Sequence, residues 1–499
     1  MTLFELLEHH QPSHPAIVVA GSGPTLTYEQ LQQHVETLAK QLNRFGINRS
    51  DRVAMALPNG VEMIVSFLAA TVAGTAAPLN PGYKLDEFRF YLEDTSARAL
   101  IVPREGMDEA KSAAGDKTLI IEADLNSHGQ VSFESTASGV STKADRPESD
   151  DVALVLHTSG TTSRPKRVPL SHKNLLATAH TVAQTYKLTQ DDVSLCVMPL
   201  FHVHGLVAST LATLATGGTV VIVPRFNPLS FWSTIREHGV SWYSAVPAIH
   251  QLLLSRNKSE VRPSGAEQLR FIRSCSSALA SSTMEELERK FGAPVLEAYG
   301  MTEAAHQMAS NPLSPGLRKP GSVGRETGVK IGILDEQGNE LANGEKGEVA
   351  IKGPNVFGGY EENPEANATA FTNGWFRTGD QGYLDADGYL TLVGRIKELI
   401  NRGGEKIAPQ EVDEALAAHP AVSEAVCFSV QDRIYGEEVA AAVVLSSPET
   451  EAGLIEHCRS LLADFKCPKR IHIVEVIPRT ATGKIQRRNV AAEIAKLGR

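Results

Sequence analysis

Short apolar runs recur through the first 310 residues, and segments of helix length separate them. "DRVAMALP" (51–58) precedes "NGVEMIVSFLAATVAG" (59–74), "TAAPLN" (75–80) precedes "KLDEFRFYLEDT" (84–95), and "ARALIVP" (97–103) follows. "DVALVLH", "SLCVMPL", "GTVVIVP", "VSWYSAVP" and "LRFIRSCS" continue the series. Strands alternating with helices predict an α/β fold with helix-covered parallel sheets. From about residue 320 the texture changes to short alternating runs broken by Gly and Asn-Gly, which predicts a small antiparallel β region. Beyond "GRIKELINRGG" a third texture begins, with helical and strand patterns of its own. The expected division is a large domain over 1–395 and a small α+β domain over 396–499, the latter of ordinary domain size.

At 499 residues, more than one core is expected. The 42% apolar and 21% charged content is that of a globular chain, and a net charge of −10 argues against nucleic acid as the main partner. Five cysteines stand without C-x-x-C spacing, so neither a disulfide framework nor a zinc site is expected, and a reducing compartment fits. The N-terminal stretch lacks a basic segment before an apolar core, the C-terminus does not read S-K-L, and no apolar run reaches the roughly 20 residues of a membrane span. The expectation is a cytoplasmic protein without a membrane span; oligomeric state is not encoded in any pattern.

The strand "DVALVLH" runs into "TSGTTSRPK" (158–166). Backbone N–H groups, hydroxyls and a lysine at the end of a strand make a phosphate cradle, although the Walker spacing is not matched. On its own the stretch reads equally well as a polar turn. Three further stretches follow in order: "EAYGMTEAAHQM" (297–308), "GWFRTGDQGYLDADGYLTLVGRIKELINRGGEKIAPQEVD" (374–413) and "PRTATGKIQRR" (478–488). Together the four resemble the adenylate-forming superfamily of acyl-CoA synthetases, aryl-CoA ligases, luciferases and peptide-synthetase adenylation domains. "PLFHVHGL", "WYSAVPAIHQ", "LRFIRSCSSALA" and "GRIKELINRGGEKI" are similar to the oxalyl-CoA synthetase group of plants and fungi.

The resemblance implies an ATP-, Mg²⁺- and CoA-dependent ligase in which a carboxylate attacks the α-phosphorus of ATP and a thiol then displaces AMP. It implies that Thr158, Ser159, Gly160, Thr161, Thr162 and Lys166 hold the departing phosphates, electrostatic work of the kind such transfers need. It places Thr302 on the α-phosphate, Glu303 on Mg²⁺, Tyr299 against adenine, and Asp380 and Arg395 on the ribose. A carboxylate can accept from both hydroxyls of a diol, which suits Asp380 to that position. Lys484 is the implied catalytic lysine, carried by a mobile C-terminal domain that pivots at Lys397, with Gly403 and Gly404 lining the CoA channel.

Two departures from the superfamily pattern bear on the site. Arg167 stands where relatives most often have Gly, and either tightens phosphate binding or points outward. "SCSSALA" (274–280) replaces the usual Gly-rich pocket wall. A fatty or aryl acid wants an apolar cavity, whereas a short diacid brings a second carboxylate that needs donors. Ser276, His202 and His306 are therefore expected to hold the non-reacting carboxylate of oxalate or a similar acid, while His204 is read as packing. A medium-chain or aromatic acid ligase differs only in pocket shape. An amino-acid adenylation module would carry an aspartate near His202 and a following carrier domain, but this chain ends fifteen residues after Lys484. A non-catalytic nucleotide-binding relative is disfavoured because Lys484, Glu303 and Asp380 occur together.

Overall fold

Helix-length crossovers between strands bring those strands back in parallel. The computed structural model, which describes residues 1–126, 129–135, 146–158, 165–257, 259, 261–479 and 485–497, contains two sheets built this way. In the first, of seven strands, Arg52–Met55 lies between Thr75–Pro78 and Ala99–Pro103, all parallel. Val152–Thr158 follows Thr75–Pro78 in parallel, and Lys166–Ser171 closes the edge antiparallel to it. The second, of nine strands, has a parallel centre of Pro15–Val19, Thr219–Ile222, Val193–Cys196, Trp242–Ala245, Phe271–Ser274 and Val295–Met301. There the chain folds back, and His306–Ser310 pairs antiparallel with Val295–Met301.

The helix Val61–Ala73 shows why these sheets share one core. It is apolar on every side, and Met63, Ile64, Phe67 and Leu68 are all buried, as a helix without a polar face must be. Tyr28–Arg44 packs beside it but keeps a wet face. That helix begins at a capping box in which Thr27 Oγ1 accepts from the Gln30 N–H and Gln30 Oε1 accepts from the Thr27 N–H.

The glycine-punctuated stretch forms a five-stranded antiparallel sheet between Lys330 and Arg395. The last segment builds another sheet, in which Val422–Asp432 and Gly436–Leu445 pair antiparallel and Arg470–Ile473 lies parallel to the latter. The helices Pro409–Ala417 and Glu451–Leu461 cover one face and Arg487–Leu497 the other, giving this smaller α+β module two hydrophobic cores of its own. No helix among the described residues is long and apolar enough to cross a membrane.

One element has no counterpart in the sequence pattern. His204–Leu211 is a π-helix, wholly buried, entered directly from "PLFHVHG". Such i→i+5 turns are rare and concentrate at functional sites. Its second residue is glycine for a steric reason: a Cβ on Gly205 would lie 2.4 Å from the Pro199 carbonyl oxygen and 2.7 Å from that of Met198. Gly205→Ala should therefore destabilise the protein by about 1–3 kcal/mol through overpacking, read as a lowered denaturation midpoint.

Candidate active site

Thr158 ends one strand and Lys166 begins the next, and the two pair across the antiparallel ladder. Ser159, Gly160, Thr161 and Thr162 lie outside the described residues, as does Lys484. Thr158 Oγ1 is buried and has no hydrogen-bond partner among the described residues. A buried hydroxyl in that condition is free to donate to an incoming acceptor, as a phosphate oxygen would be. Lys166 Nζ sits 4.1 Å from the centre of the Tyr360 ring, and burial lowers its pKa while Glu303 opposes the shift. The Tyr360 hydroxyl donates to Glu303 Oε1 at 2.7 Å. One aromatic side chain thus fixes both the predicted phosphate lysine and the predicted metal carboxylate.

The surroundings of Glu303 fit Mg²⁺. The carboxylate is buried in the 3₁₀ turn Thr302–Ala304, with Thr302 half-buried beside it. Among the described residues no three His, Cys, Asp or Glu side chains gather into a metal cage. Mg²⁺ that keeps waters and shares phosphate oxygens needs only one or two carboxylates.

Arg167 is held among acidic groups. Its guanidinium is buried against Asp94, Glu361 and Glu362, with Nε 3.6 Å from Glu361 and 3.8 Å from Asp94, and it donates to the Asp94 carbonyl and the Glu362 carboxylate. The side chain does not point outward to solvent: its charge is spent on these acidic partners inside the protein. The side chain ties the strand after the loop to the segment that follows Tyr360.

On the nucleoside side, Tyr299 donates to Asp380 Oδ2, and Arg395 Nε meets Asp380 Oδ1 at 2.8 Å. Burial, and then the Asp380 charge, push the Tyr299 phenol well above its ordinary value, so it remains a donor. Asp380 and Arg395 pair across adjacent strands, which fixes the orientation of the carboxylate. Lys397 follows in a short 3₁₀ turn, and Gly403 and Gly404, at φ +60° and +103°, make the hairpin turn between Ile400–Arg402 and Glu405–Ile407. Those angles suit glycine.

The acid side assembles around His204 rather than His202. His204 Nδ1 is 3.0 Å from Ser276 Oγ, its Nε2 is 2.6 Å from Ser244 Oγ, and its ring centre is 5.2 Å from that of His306. His202 is half-buried, and its Nδ1 accepts from the His204 backbone N–H. The expectation that His204 only packs is corrected: it links three side chains. Ser276 (φ +75°) and His306 (φ +128°) both occupy backbone regions that L-residues avoid, and strain of this kind gathers at functional sites.

Beneath them lies a group that the sequence reading missed. Arg273, fully buried, donates from Nε to the Tyr186 hydroxyl (2.8 Å) and from Nη1 to Ser244 Oγ (3.0 Å). From Nη2 it donates to Gln307 Oε1 (3.1 Å) and His306 Nδ1 (3.4 Å). None of its ion-pair or hydrogen-bond partners among the described residues is a carboxylate. The available signal was an arginine inside "FIRS", on the same strand face as the buried Phe271.

The fold, with the residues gathered around "YGMTE", is that of an adenylate-forming enzyme. The AMP-binding enzyme model matches residues 4–361 and the AMP-binding enzyme C-terminal domain model matches residues 411–484; the chain belongs to this family and is an AMP-forming acyl-CoA synthetase. It is 47% identical to an oxalate–CoA ligase of Arabidopsis thaliana, covering 98% of both chains. It is 45% identical to the oxalate–CoA ligase of Saccharomyces cerevisiae, covering 97% of this chain and 95% of that one. The crystal structure of ATP-bound MatB from Rhodopseudomonas palustris superposes with a TM-score of 0.89 at 32% identity, covering 99% of each chain.

Glu297, at the head of the same motif, accepts the Leu279 N–H at 3.0 Å and so anchors the loop that carries Ser276. Burial pushes its carboxyl up to about 8, with Glu414 of the C-terminal module adding to the rise. The stability it lends is whole below the unfolded-state value near 4.5 and is lost as pH climbs through about 8. Glu297→Gln should therefore raise the melting temperature more at pH 8.5 than at pH 5, an excess worth a few kcal/mol. Equal shifts at the two pH values would show that the carboxyl titrates normally.

Proposed function

We propose that the protein is an oxalate–CoA ligase: oxalate and ATP give oxalyl-adenylate and pyrophosphate, and CoA then gives oxalyl-CoA and AMP. The observation that carries the substrate is the polar cluster in which His204, Ser276, His306 and Arg273 are linked. A free second carboxylate needs donors and positive charge, and an alkyl or aryl tail gains nothing from them. The likeness to oxalate–CoA ligases of a plant and a yeast supports the same choice. A medium-chain or aromatic acid is the second reading, and the polar pocket weighs against it.

In this reading Thr158 to Thr162 and Lys166 take the departing phosphates, Thr302 contacts the α-phosphate, and Glu303, steadied by Tyr360, is the residue that would hold Mg²⁺. Held there, the ion would supply neutralising charge to the phosphate oxygens. Tyr299, Asp380 and Arg395 orient the nucleoside. Residues 396–499 form a mobile domain that pivots at Lys397 and delivers Lys484 to the carboxylate and α-phosphate for the first half-reaction. For the second it turns Gly403 and Gly404 toward CoA. Five free, buried cysteines support a cytoplasmic setting.

CoA-dependent AMP release should be fastest with oxalate in a panel with malonate, acetate, octanoate and 4-coumarate. A preference for octanoate or 4-coumarate would overturn the oxalate assignment. Lys484→Ala should abolish acid-dependent pyrophosphate release, a loss of about 10²–10³ in rate, yet spare thioester formation from presynthesised oxalyl-adenylate. Equal failure of both halves would rule out the two-conformation scheme.

A further inference from the structure

We infer that Arg273 polarises a one-way hydrogen-bond chain, Arg273–Ser244–His204–Ser276, that turns the acid pocket into a donor-only site for the second carboxylate of a short diacid. The inference deepens the proposed function and rests on it.

The direction of the chain follows from what each group can do. A guanidinium has five N–H donors and no acceptor. Ser244 Oγ therefore accepts from Arg273 Nη1, and because Ser244 is fully buried its own hydroxyl proton is satisfied only on its other described neighbour, His204 Nε2 at 2.6 Å. With Nε2 accepting, the His204 proton sits on Nδ1 and is donated to Ser276 Oγ at 3.0 Å. Ser276 is half-buried, next to the exposed Ser277 and Ala278, and its hydroxyl proton is left to point onward. A second branch runs from Nη2 to His306 Nδ1, which must also accept, so His306 is neutral with its proton on Nε2. The two rings, 5.2 Å apart, are thus held in opposite tautomers by one arginine.

Such an arrangement selects by charge. The buried cation has no carboxylate among its described partners, so the pocket is electropositive until an anion enters. Hydrogen bonds that polarise one another in sequence strengthen the terminal donor. A carboxylate accepts at Ser276, whereas an ammonium or a methyl group cannot. Arg273 acts through Ser244 and His204, and is a positioning residue.

The test compares oxalate with acetate, by pyrophosphate release, in wild type, Ser244→Ala, Ser244→Thr and Arg273→Gln. Ser244→Ala cuts the chain but leaves the charge. It should raise KM for oxalate about tenfold or more, leave KM for ATP unchanged, and lower the oxalate-to-acetate ratio of kcat/KM by a similar factor. Ser244→Thr, which keeps the hydroxyl, should restore the ratio. Arg273→Gln should lower the ratio by about a hundredfold. If it fails to fold, as a melting curve will show, the Ser244 pair decides the question. A wild type that prefers oxalate, with a ratio kept within about twofold in Ser244→Ala, overturns the chain and leaves the substrate reading standing. A wild type that ignores dicarboxylates overturns both.

Discussion

A guanidinium sealed inside a protein without a carboxylate is costly, because an ion loses its water and nothing of opposite sign repays it. Arg273 bears that cost by reaching four neighbours: Tyr186 after the His172–Thr185 helix, Ser244 on the adjacent strand, and His306 and Gln307 on the strand beyond. The acid side of the cleft is organised around this side chain. Tyr186, stacked on Phe271, is held in turn by Ser310, so the polar cluster is backed by an aromatic one. The π-helix belongs to the same design, since it begins at His204 and sets that ring between Ser244 and Ser276.

The phosphate side uses a different device. Tyr360 bridges Lys166 and Glu303, and Arg167 clamps the segment after Tyr360 to Asp94. In the C-terminal module, Arg487 Nη2 reaches Asp413 at 2.6 Å, Nη1 reaches the Cys427 carbonyl at 2.8 Å, and Nε lies 3.4 Å from Glu398. Arg487 stands three residues after Lys484, and Glu398 directly follows Lys397. Arg487 thus ties the start of the last helix to Asp413, to the Val422–Asp432 strand and to Glu398, the residue after the proposed pivot.

Much of this was legible in the sequence, for identifiable reasons. Parallel sheets follow from alternation: "VSWYSAVP" and "LRFIRSCS" form neighbouring inner strands of one sheet and "DVALVLH" an inner strand of the other, each a run too apolar for an edge. Thr158, Lys166, Glu303, Tyr299, Asp380 and Arg395 lie in motifs whose order marks the family, Ser276 stood out as a polar residue where a pocket wall was expected, and His306 as an imidazole three residues after Glu303. Residues whose meaning is tertiary were not legible. Arg273 in a strand reads as a surface charge until its neighbours are known, and Ser244 in "WYSAVP" is one hydroxyl among many. His204 and His202 are two positions apart, and only the π-helical register decides which of them enters the cluster. Tyr360 lies 57 residues from Glu303.

The central claim is that a buried arginine fixes the protonation of the acid pocket, and neutron diffraction from a deuterium-exchanged crystal reads it directly. The account predicts deuterium on Nδ1 of His204 and on Nε2 of His306, with the Ser244 hydroxyl directed to His204. Both rings in the same tautomer, or a Ser244 hydroxyl turned away from His204, would contradict it.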